Sequence, residues 1–506
     1  MKSSYDLLLE KYSEIRLLGS IHGLLYWDLN TYMPSKGLEY RTEQFRYLQQ
    51  RIHELWTSRE LASLVAECEE DASLDEIQKR DVFLVKRGIE NRTGLPVELV
   101  RSLAKQSNKT LEVWKKAKQK KQFEIVEADM EKLFDLNVKK AELQAKSKGI
   151  NDPFEALIGS RDPDFSVDLL TILFDEVKAF LVPFVRKILQ SSVKPDTSFL
   201  SRSVPREVQV KLVEDLARFL GYNIILGQNE GRIDEVEHPL TIGCGPTDVR
   251  VTVKYHEDSV IRAFMAGGHE CGHALDHLQV NPDWIGRPVN FRIVPSFNES
   301  QSRFLENIIC GSREFWTYYY PRFQELTGGV FDDVSMDDFY LAINAVKPET
   351  SRMDADEVTY CLHIIIRFEI ERDLFAGKIK ISDLPRVWND KYRDYLGVEV
   401  PDDTRGIMQD LHWYSQYWGY FFGYGIGDMM AAQIAMTALT RDLPDWRQSL
   451  QAGMFTPVRE WLAEKIHSKG AIYDSLGLIE DITGEQLSAK YFIEYLTQKY
   501  SDLYQI

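Results

Sequence analysis

The stretch Gly267-Gly268-His269-Glu270-Cys271-Gly272-His273 contains two histidines four residues apart, with a glutamate directly after the first. On an α-helix, residues i and i+4 lie one turn apart on the same face, so His269 and His273 can hold one Zn²⁺ between neutral imidazoles. Glu270 lies beside them, where it can polarise a metal-bound water and take its proton. The alternative is a polar helix with two incidental histidines. The pattern favours a zinc site on a helix.

Apolar residues on both sides of this stretch repeat at helical spacing. The repeat predicts helices within residues 258–279 and, along the rest of the chain, within 5–25, 38–90, 95–148, 167–192, 206–221, 299–320, 354–376, 407–440 and 487–503. No fixed-period repeat is evident, which argues against a solenoid. The sequence therefore predicts a mostly α protein.

One short segment follows a period of two. Val249, Val251, Val253 and Tyr255 alternate with the polar Asp248, Arg250, Thr252 and Lys254, as in a strand with one polar face. Gly243, Gly245 and Pro246 precede it and resemble a hairpin turn. We predict one small β-hairpin or sheet just before the zinc helix.

A catalytic zinc needs a third protein ligand. Glu299 follows His273 by 26 residues and shares a helical face with Arg303 and Glu306, so a second helix packed on the first can present it to the metal. The alternative for Glu299 is an i,i+4 surface pair with Arg303, and spacing alone leaves the two open. His277 is two turns from His269 and rotated by about 80°, which favours a surface or supporting position for it.

Composition limits the partners and the compartment. The 506 residues carry a formal net charge of −17, which excludes general affinity for nucleic acid or anionic membranes. No apolar run reaches the ~18 residues of a membrane span, and no signal peptide is evident at the start. The five cysteines are scattered and form no CxxC pair, which is typical of a reducing cytoplasm. We expect a cytoplasmic protein with no nucleic-acid or membrane partner.

Several motifs in the same order resemble one family, the Taq-type (thermostable) metallocarboxypeptidases. The resemblance covers nearly the whole chain and rests on Trp27-Asp28, Met33-Pro34, Asp152-Pro153-Phe154, His238-Pro239, Asp248-x-Arg250-x-Thr252, residues 269–273, Glu299-Ser300-Gln301, Arg352-Met353-Asp354-Ala355-Asp356 and Gly406-Ile407-Met408-Gln409-Asp410-Leu411-His412-Trp413. The chain departs from the family at Asn298, where a histidine is usual, at Leu240, where phenylalanine is usual, and along 414–424.

The resemblance implies a large helical, saddle-like fold with a deep groove, often in a homodimer. It implies a zinc enzyme, with cobalt as an alternative metal, that removes C-terminal residues from peptides with broad specificity. It assigns His269, His273 and Glu299 to the metal and Glu270 to the general base. We expect residues 1–506 to form one unit, in which 1–235 make one groove wall and 236–506 carry the catalytic part.

Other polar residues are candidates for contact with a peptide. Tyr420, Tyr424 and His412 are placed to stabilise an oxyanion, although so aromatic a run is also typical of a core. An exopeptidase must recognise a free carboxylate, for which a guanidinium fits best. Arg352 is the first candidate, because it opens a family motif, and Arg250 is the second. The alternative for Arg352 is an ion pair with Asp356.

The polar strand face offers a further set of contacts. Asp248, Arg250 and Thr252 are expected to line the groove, where the strand edge can pair with the substrate backbone. His238 either orients substrate or has a structural role. The leading function is a zinc carboxypeptidase. The alternatives are a zinc oligopeptidase that cuts internal bonds of short peptides, and a metal- or peptide-binding relative that has lost catalysis.

Overall fold

A computed structural model of the protein describes residues 2–224, 230–290, 292 and 294–506. Its α-helices are α1 Ser4–Asn30, α2 Leu38–Trp56, α3 Arg59–Glu69, α4 Glu76–Glu90, α5 Val97–Lys120, α6 Glu124–Lys148, α7 Pro153–Arg161, α8 Val167–Gln190, α9 Arg206–Leu220, α10 Val260–Leu278, α11 Pro295–Arg303, α12 Arg313–Leu326, α13 Met336–Ile343, α14 Glu357–Phe375, α15 Leu384–Leu396, α16 Phe422–Ile434, α17 Thr440–Asp442, α18 Trp446–Gln451, α19 Thr456–Lys465, α20 Ser475–Thr483 and α21 Ala489–Tyr504. The segments Phe304–Cys310 and Ala435–Leu439 are π-helical, and short 3₁₀ turns span Ser35–Gly37, Ser198–Ser201, Pro282–Trp284, Pro288–Asn290, Arg352–Asp354, Ile381–Asp383, Trp413–Ser415 and His467–Lys469. The mostly α fold is confirmed.

Local sequence explains where many helices begin and end. Helix α7 starts with Pro153 at its first turn, and Asp152 Oδ1 accepts a hydrogen bond from Phe154 N at 2.8 Å. Both features are standard N-terminal signals, because they satisfy or remove donors that have no partner within the helix. Helix α9 ends at Gly221, whose φ of 86° is the left-handed conformation that glycine adopts without strain.

The expected helix over 407–440 is wrong in its first half. Regular helix begins at Phe422, and residues 407–421 form an irregular segment with a 3₁₀ turn at Trp413–Ser415. Gln416 and Gly419 have φ values of 70° and 61°, which no α-helix accommodates. The aromatic spacing reflects packing within this segment, where the rings of Trp413 and Trp418 stack with centroids 5.4 Å apart.

The small sheet has three strands, β1 Gly231–Glu235, β2 Leu240–Gly245 and β3 Asp248–Val253, in the order β1-β3-β2. The predicted hairpin is the antiparallel β2–β3 pair, with an irregular register between Gly243 and Gly245. Strand β1 was not predicted; it pairs in parallel with β3, with Gly231 opposite Val249. The central strand β3 therefore has no unpaired edge, so the expectation that it pairs with a substrate backbone is wrong.

Two hydrophobic cores hold the helices together. A small core joins residues of α1, α2, α3 and α4, and a large core runs from Ala117 in α5 to Tyr504 in α21. The large core includes residues on both sides of position 235, and the division of the chain there stays a prediction. The valines at 249, 251 and 253 are buried in it and pack β3 against α10. Helix α10 thus contacts the sheet on one side, and it also packs against α9 and α11.

A search of the described helices for a segment long and apolar enough to cross a bilayer finds none.

Candidate metal centre

Two helices bring the three predicted ligands together. His269 and His273 lie on α10 and Glu299 on α11, and one ligand atom from each lies within 4.8 Å of the others. His273 Nε2 is 3.7 Å from Glu299 Oε2. Two imidazole nitrogens and one carboxylate oxygen form the protein ligand set of a catalytic zinc site. The donor chemistry of these residues therefore fits a divalent metal.

Glycine at two positions allows this approach of the helices. A Cβ on Gly272, between the two histidines, would lie 2.4 Å from Gln301 O and 2.6 Å from Ser302 Cα, both backbone atoms of α11. A Cβ on Gly427 of α16 would lie 2.8 Å from Glu299 Cγ. Helix α11 is thus held closely between α10 and α16, and this packing sets the position of the carboxylate ligand.

Two further charged side chains support the ligands. Glu306 Oε2 is 2.8 Å from His269 Nδ1, which leaves Nε2 of that ring for a metal. Arg303 donates to Glu299 Oε1 at 3.0 Å and to Glu306 Oε2 at 3.0 Å, and its guanidinium lies 3.9 Å from the centroid of the Tyr360 ring. The pair between Glu299 and Arg303 therefore exists, and it is buried and adjacent to the histidines.

The carboxylates and burial set the charges of the cluster. Burial lowers the pKa of His269, but Glu299 and Glu306 outweigh burial and raise it to about 9. Burial raises the pKa of Glu306, but Arg303 and His269 outweigh it and bring the value to about 2. Burial and the nearby His269 hold the pKa of His273 well below its usual range. A cation shared by these groups is therefore favoured, which a divalent metal satisfies in place of the proton.

Glu270 faces the same space and is only 6% exposed. The hydroxyl of Thr241, on β2, is 2.7 Å from Glu270 Oε2 and 3.0 Å from its backbone O. Burial raises the pKa of Glu270 to about 7, although His269 and the Thr241 hydrogen bond act in the opposite direction. A carboxyl group with a pKa near neutrality can both accept and return a proton.

A cavity of about 290 Å³ opens onto these groups. Besides the three ligands and Glu270, it is lined by Pro239, Leu240, Thr241, His277, Pro295, Asn298, Tyr420, Gly423 and Tyr424. The structure thus places both predicted tyrosines beside the metal ligands. His277, expected at the surface or in support, also lines the cavity, and burial lowers its pKa to about 4.

His412 lies behind the tyrosines and is not among the lining residues. Its ring centroid is 4.4 Å from that of Phe421 and 5.9 Å from that of Tyr420. Burial lowers the pKa of His412 to about 4 despite the nearby Asp410, so the ring is neutral at physiological pH. A contact between His412 and substrate stays a prediction.

Arg352 is buried and bonded to the chain itself. Its Nε and Nη2 donate to Asp410 Oδ1 at 3.1 and 3.0 Å, and its Nη1 to Tyr360 OH at 3.3 Å. The alternative pairing with Asp356 is wrong, because Asp356 caps α14. The guanidinium lies 5.2 Å from the centroid of Tyr424, so Arg352 borders the lining of the cavity.

The polar side chains of β3 are bonded within the protein. Arg250 donates to both carboxylate oxygens of Asp248 at 2.9 and 2.8 Å, and its guanidinium stacks 4.2 Å from the centroid of Trp27 in α1. Thr252 Oγ1 is 2.9 Å from both N and O of Leu240. None of these three residues is among those that line the cavity, so their contact with substrate stays a prediction.

His238 is exposed and outside the lining, whereas the next two residues, Pro239 and Leu240, are part of it. Asn298 lines the cavity and donates through Nδ2 to Asp276 Oδ2 at 3.2 Å. Sequence reasoning missed Thr241, for which no pattern gave a signal. The helical face shared by Glu299 and Glu306 was the signal for the support of His269.

Comparisons with known proteins agree with this arrangement. Residues 7–500 match the family described as Carboxypeptidase Taq (M32) metallopeptidase. The chain is 37% identical to Carboxypeptidase 1 of Bacillus subtilis (strain 168), over 99% of this chain and 98% of that protein. It is 34% identical to Thermostable carboxypeptidase 1 of Thermus thermophilus, over 99% of both. The crystal structure of the M32 carboxypeptidase from Deinococcus radiodurans R1 has a TM-score of 0.95 and 31% identity, and covers 99% of this chain and 100% of that one.

Proposed function

We propose that this chain, which belongs to the carboxypeptidase Taq (M32) metallopeptidase family and is a metallocarboxypeptidase, binds zinc through His269, His273 and Glu299 and releases C-terminal residues from peptides with broad specificity. The observation that carries the proposal is the grouping of these three ligand atoms within 4.8 Å, with Glu270 beside them. Cobalt is proposed as a second metal that supports activity.

A divalent metal bound here supplies Lewis-acid activation of the attacking water and of the scissile carbonyl. With the metal bound, Glu270, which lies beside the ligands, would take up a proton at its carboxylate and return it to the leaving amine. Thr241, which hydrogen-bonds with Glu270 Oε2, keeps the carboxylate oriented.

Tyr420 and Tyr424 are proposed as donors to the oxyanion that develops on the substrate carbonyl. Both line the cavity, and the centroids of their rings are 5.6 Å apart. His412, behind them, is proposed to hold Tyr420 in position. A tyrosine hydroxyl that borders the cavity can donate a hydrogen bond to a substrate oxygen bound there.

The decisive experiment compares Glu270→Gln with the wild type after metal loading. Glutamine keeps the shape of the side chain but accepts no proton, so we expect the rate of peptide hydrolysis to fall by about 10²–10⁴-fold. The metal content should stay at one metal ion per protein chain. Glu112→Gln, an exposed substitution on α5 away from the site, is the matched control. Hydrolysis by Glu270→Gln at the wild-type rate would refute the mechanism.

A second experiment separates exopeptidase from endopeptidase action. A peptide and its C-terminally amidated form are incubated with the metal-loaded enzyme, and products are followed by mass spectrometry. Stepwise shortening of the free acid with little cleavage of the amide is expected. Equal cleavage of both at internal bonds would contradict carboxylate recognition.

We also propose a cytoplasmic homodimer. Cys68, Cys271, Cys310 and Cys361 are buried free thiols, which suits a reducing compartment. On α1, Leu17, Ile21 and Leu24 are exposed at i, i+4 and i+7, and form an apolar stripe of the kind that subunit interfaces cover. Light scattering after gel filtration tests this proposal, and a monomer at micromolar concentration would contradict it.

A further inference from the structure

Arg161, which lies close to a cavity-lining tyrosine, and Lys140, which senses the charge of Arg161, both lack an anionic partner among the described residues. Arg161, the last residue of α7, and Lys140 of α6 have neither a hydrogen bond nor a carboxylate within 4.0 Å among the described residues. Both side chains are half-buried. Burial lowers the pKa of Arg161, and burial together with the charge of Arg161 lowers that of Lys140 to about 8. A cation removed from water without a counter-ion costs free energy that a bound anion would offset.

Arg161 stacks near two tyrosines, one of which lines the cavity. Its Cζ lies 5.6 Å from the ring centroid of Tyr420, a lining residue, and 5.4 Å from that of Tyr417. Guanidinium stacking on tyrosine leaves the N–H edge available for a planar acceptor. The side chain thus has the geometry of a carboxylate receptor at the border of the cavity.

The backbone around Arg161 is firmly placed. The next residue, Asp162, is buried and accepts hydrogen bonds from Ser296, at the start of α11, and from Ser475 at 2.7 Å. Helix α7 also packs closely on the irregular aromatic segment, since a Cβ on Gly419 would lie 3.2 Å from Leu157 Cβ. Arg161 is therefore fixed relative to both the metal-ligand helix and the tyrosines.

Nearby acidic side chains are already occupied. Glu371 lies close enough to interact with Arg161 through its charge, but its Oε1 accepts from Trp413 Nε1 at 2.7 Å and Gly419 N at 3.3 Å. Burial raises the pKa of Glu371 to about 8, so this carboxyl is largely neutral at pH 7. One turn from Lys140, Gln144 Oε1 is also buried without a partner among the described residues.

We propose that Arg161, assisted by Lys140, binds a carboxylate of the peptide substrate, which is either its C-terminal carboxylate or that of an acidic side chain. This inference rests on the proposed function, because it places the peptide in the same cavity. The arginines expected from the sequence, Arg352 and Arg250, already bond Asp410 and Asp248. Arg161 has guanidinium N–H donors that are not bonded to a carboxylate of the described residues, whereas those of the other two arginines are.

The test measures binding in a background that does not hydrolyse. Metal-loaded Glu270→Gln and the double variant Glu270→Gln/Arg161→Gln are titrated calorimetrically with a neutral tripeptide, its C-terminal amide, and the same tripeptide with an aspartate side chain. If Arg161 binds the terminal carboxylate, the double variant should bind the free acid about 10- to 100-fold more weakly than Glu270→Gln does, and its affinity for the amide should change little. If Arg161 binds an acidic side chain, the double variant should lose only the tighter binding of the aspartate peptide over the neutral one. Uniform weakening, or no change in any of the three, overturns the proposal.

Two further variants complete the design. Arg161→Lys keeps the charge but not the fork, so we expect the same selectivity pattern with a smaller loss, about 3- to 10-fold; absence of that pattern counts against the proposal even if Arg161→Gln misfolds. Arg92→Gln is the matched control, because Arg92 also stacks on an aromatic ring, 4.5 Å from Trp56. Failure of the wild type to hydrolyse any peptide would refute the proposed function separately, since the titrations do not depend on turnover.

Discussion

The contact between α10 and α11 at Gly272 makes the metal site sensitive to a single methyl group. In Gly272→Ala the new Cβ would meet Gln301 O at 2.4 Å and Ser302 Cα at 2.6 Å. Both atoms belong to the backbone, so no side-chain rotation relieves the clash. Ordinary contact begins near 3.4 Å, and α11 must therefore move by roughly 1 Å.

This displacement has separate effects on stability and on metal affinity. Overpacking costs about 1–3 kcal/mol, whereas alanine in place of glycine in a helix returns about 0.5–1 kcal/mol. We expect a net loss of about 0.5–2 kcal/mol in the metal-free protein. Metal–ligand distances tolerate only about 0.2 Å, so Glu299 would leave the coordination sphere. Metal affinity should fall by about 100-fold or more, beyond the effect of losing a supporting residue.

The assay combines urea unfolding of the metal-free protein with a chelator competition for metal affinity. Gly19→Ala is the matched control, because Gly19 lies in α1 with no atom within 4 Å of a new Cβ. It should gain about 0.5–1 kcal/mol and leave metal affinity unchanged. Wild-type metal affinity in Gly272→Ala would refute the idea that this contact positions Glu299.

Two further predictions concern buried carboxyl groups. In Glu306→Gln the acceptor of His269 Nδ1 loses its charge, and we expect metal affinity in the chelator competition to fall about 10- to 100-fold; a change below threefold would contradict this support. For Glu371, burial raises the folded-state pKa to about 8 from an unfolded value near 4.5, so its contribution to stability is complete below pH 4.5 and is lost as the pH rises through 8. Between pH 5 and pH 9, the wild type should therefore lose about 2–4 kcal/mol relative to Glu371→Gln in urea unfolding, and parallel pH profiles would show that Glu371 is not neutral in the fold.

Local periodicity allowed a large part of the fold to be predicted. The helices α1 to α6, α8 and α9, the zinc-site helix α10 and the β2–β3 hairpin lie where the apolar spacing placed them, whereas α7 was not predicted. The prediction failed over 407–421, where aromatic residues repeat because they stack on one another and not because they line a helix. Strand β1 was missed because Gly231–Glu235 contains one apolar side chain, Ile233, and because each of its residues pairs with a residue of β3 that lies 18 positions further along the chain.

The candidate site also contains residues that the sequence predicted and residues that it left open. His269, Glu270 and His273 were predictable, because the pitch of a helix fixes residues four apart on one face. Glu299 was open between two roles, and the structure contains both the approach to His273 and the pair with Arg303. The spacing could not decide between them, since the distance from α10 to α11 depends on packing.

The sequence by itself determined the helical class, the hairpin and the ligand pair with its general base, because these depend on neighbours within one element. Only the tertiary structure decided which carboxylates reach the histidines, which arginines are already paired, and which cation remains open. Arg352 and Arg250 looked suitable for a substrate carboxylate, but Asp410 and Asp248 bond them. Arg161 drew no attention in the sequence, because its significance lies in what surrounds it: the tyrosines of a segment more than 250 residues further on. Contacts between distant elements depend on glycines and on the shapes of whole helices, and no local pattern encodes them.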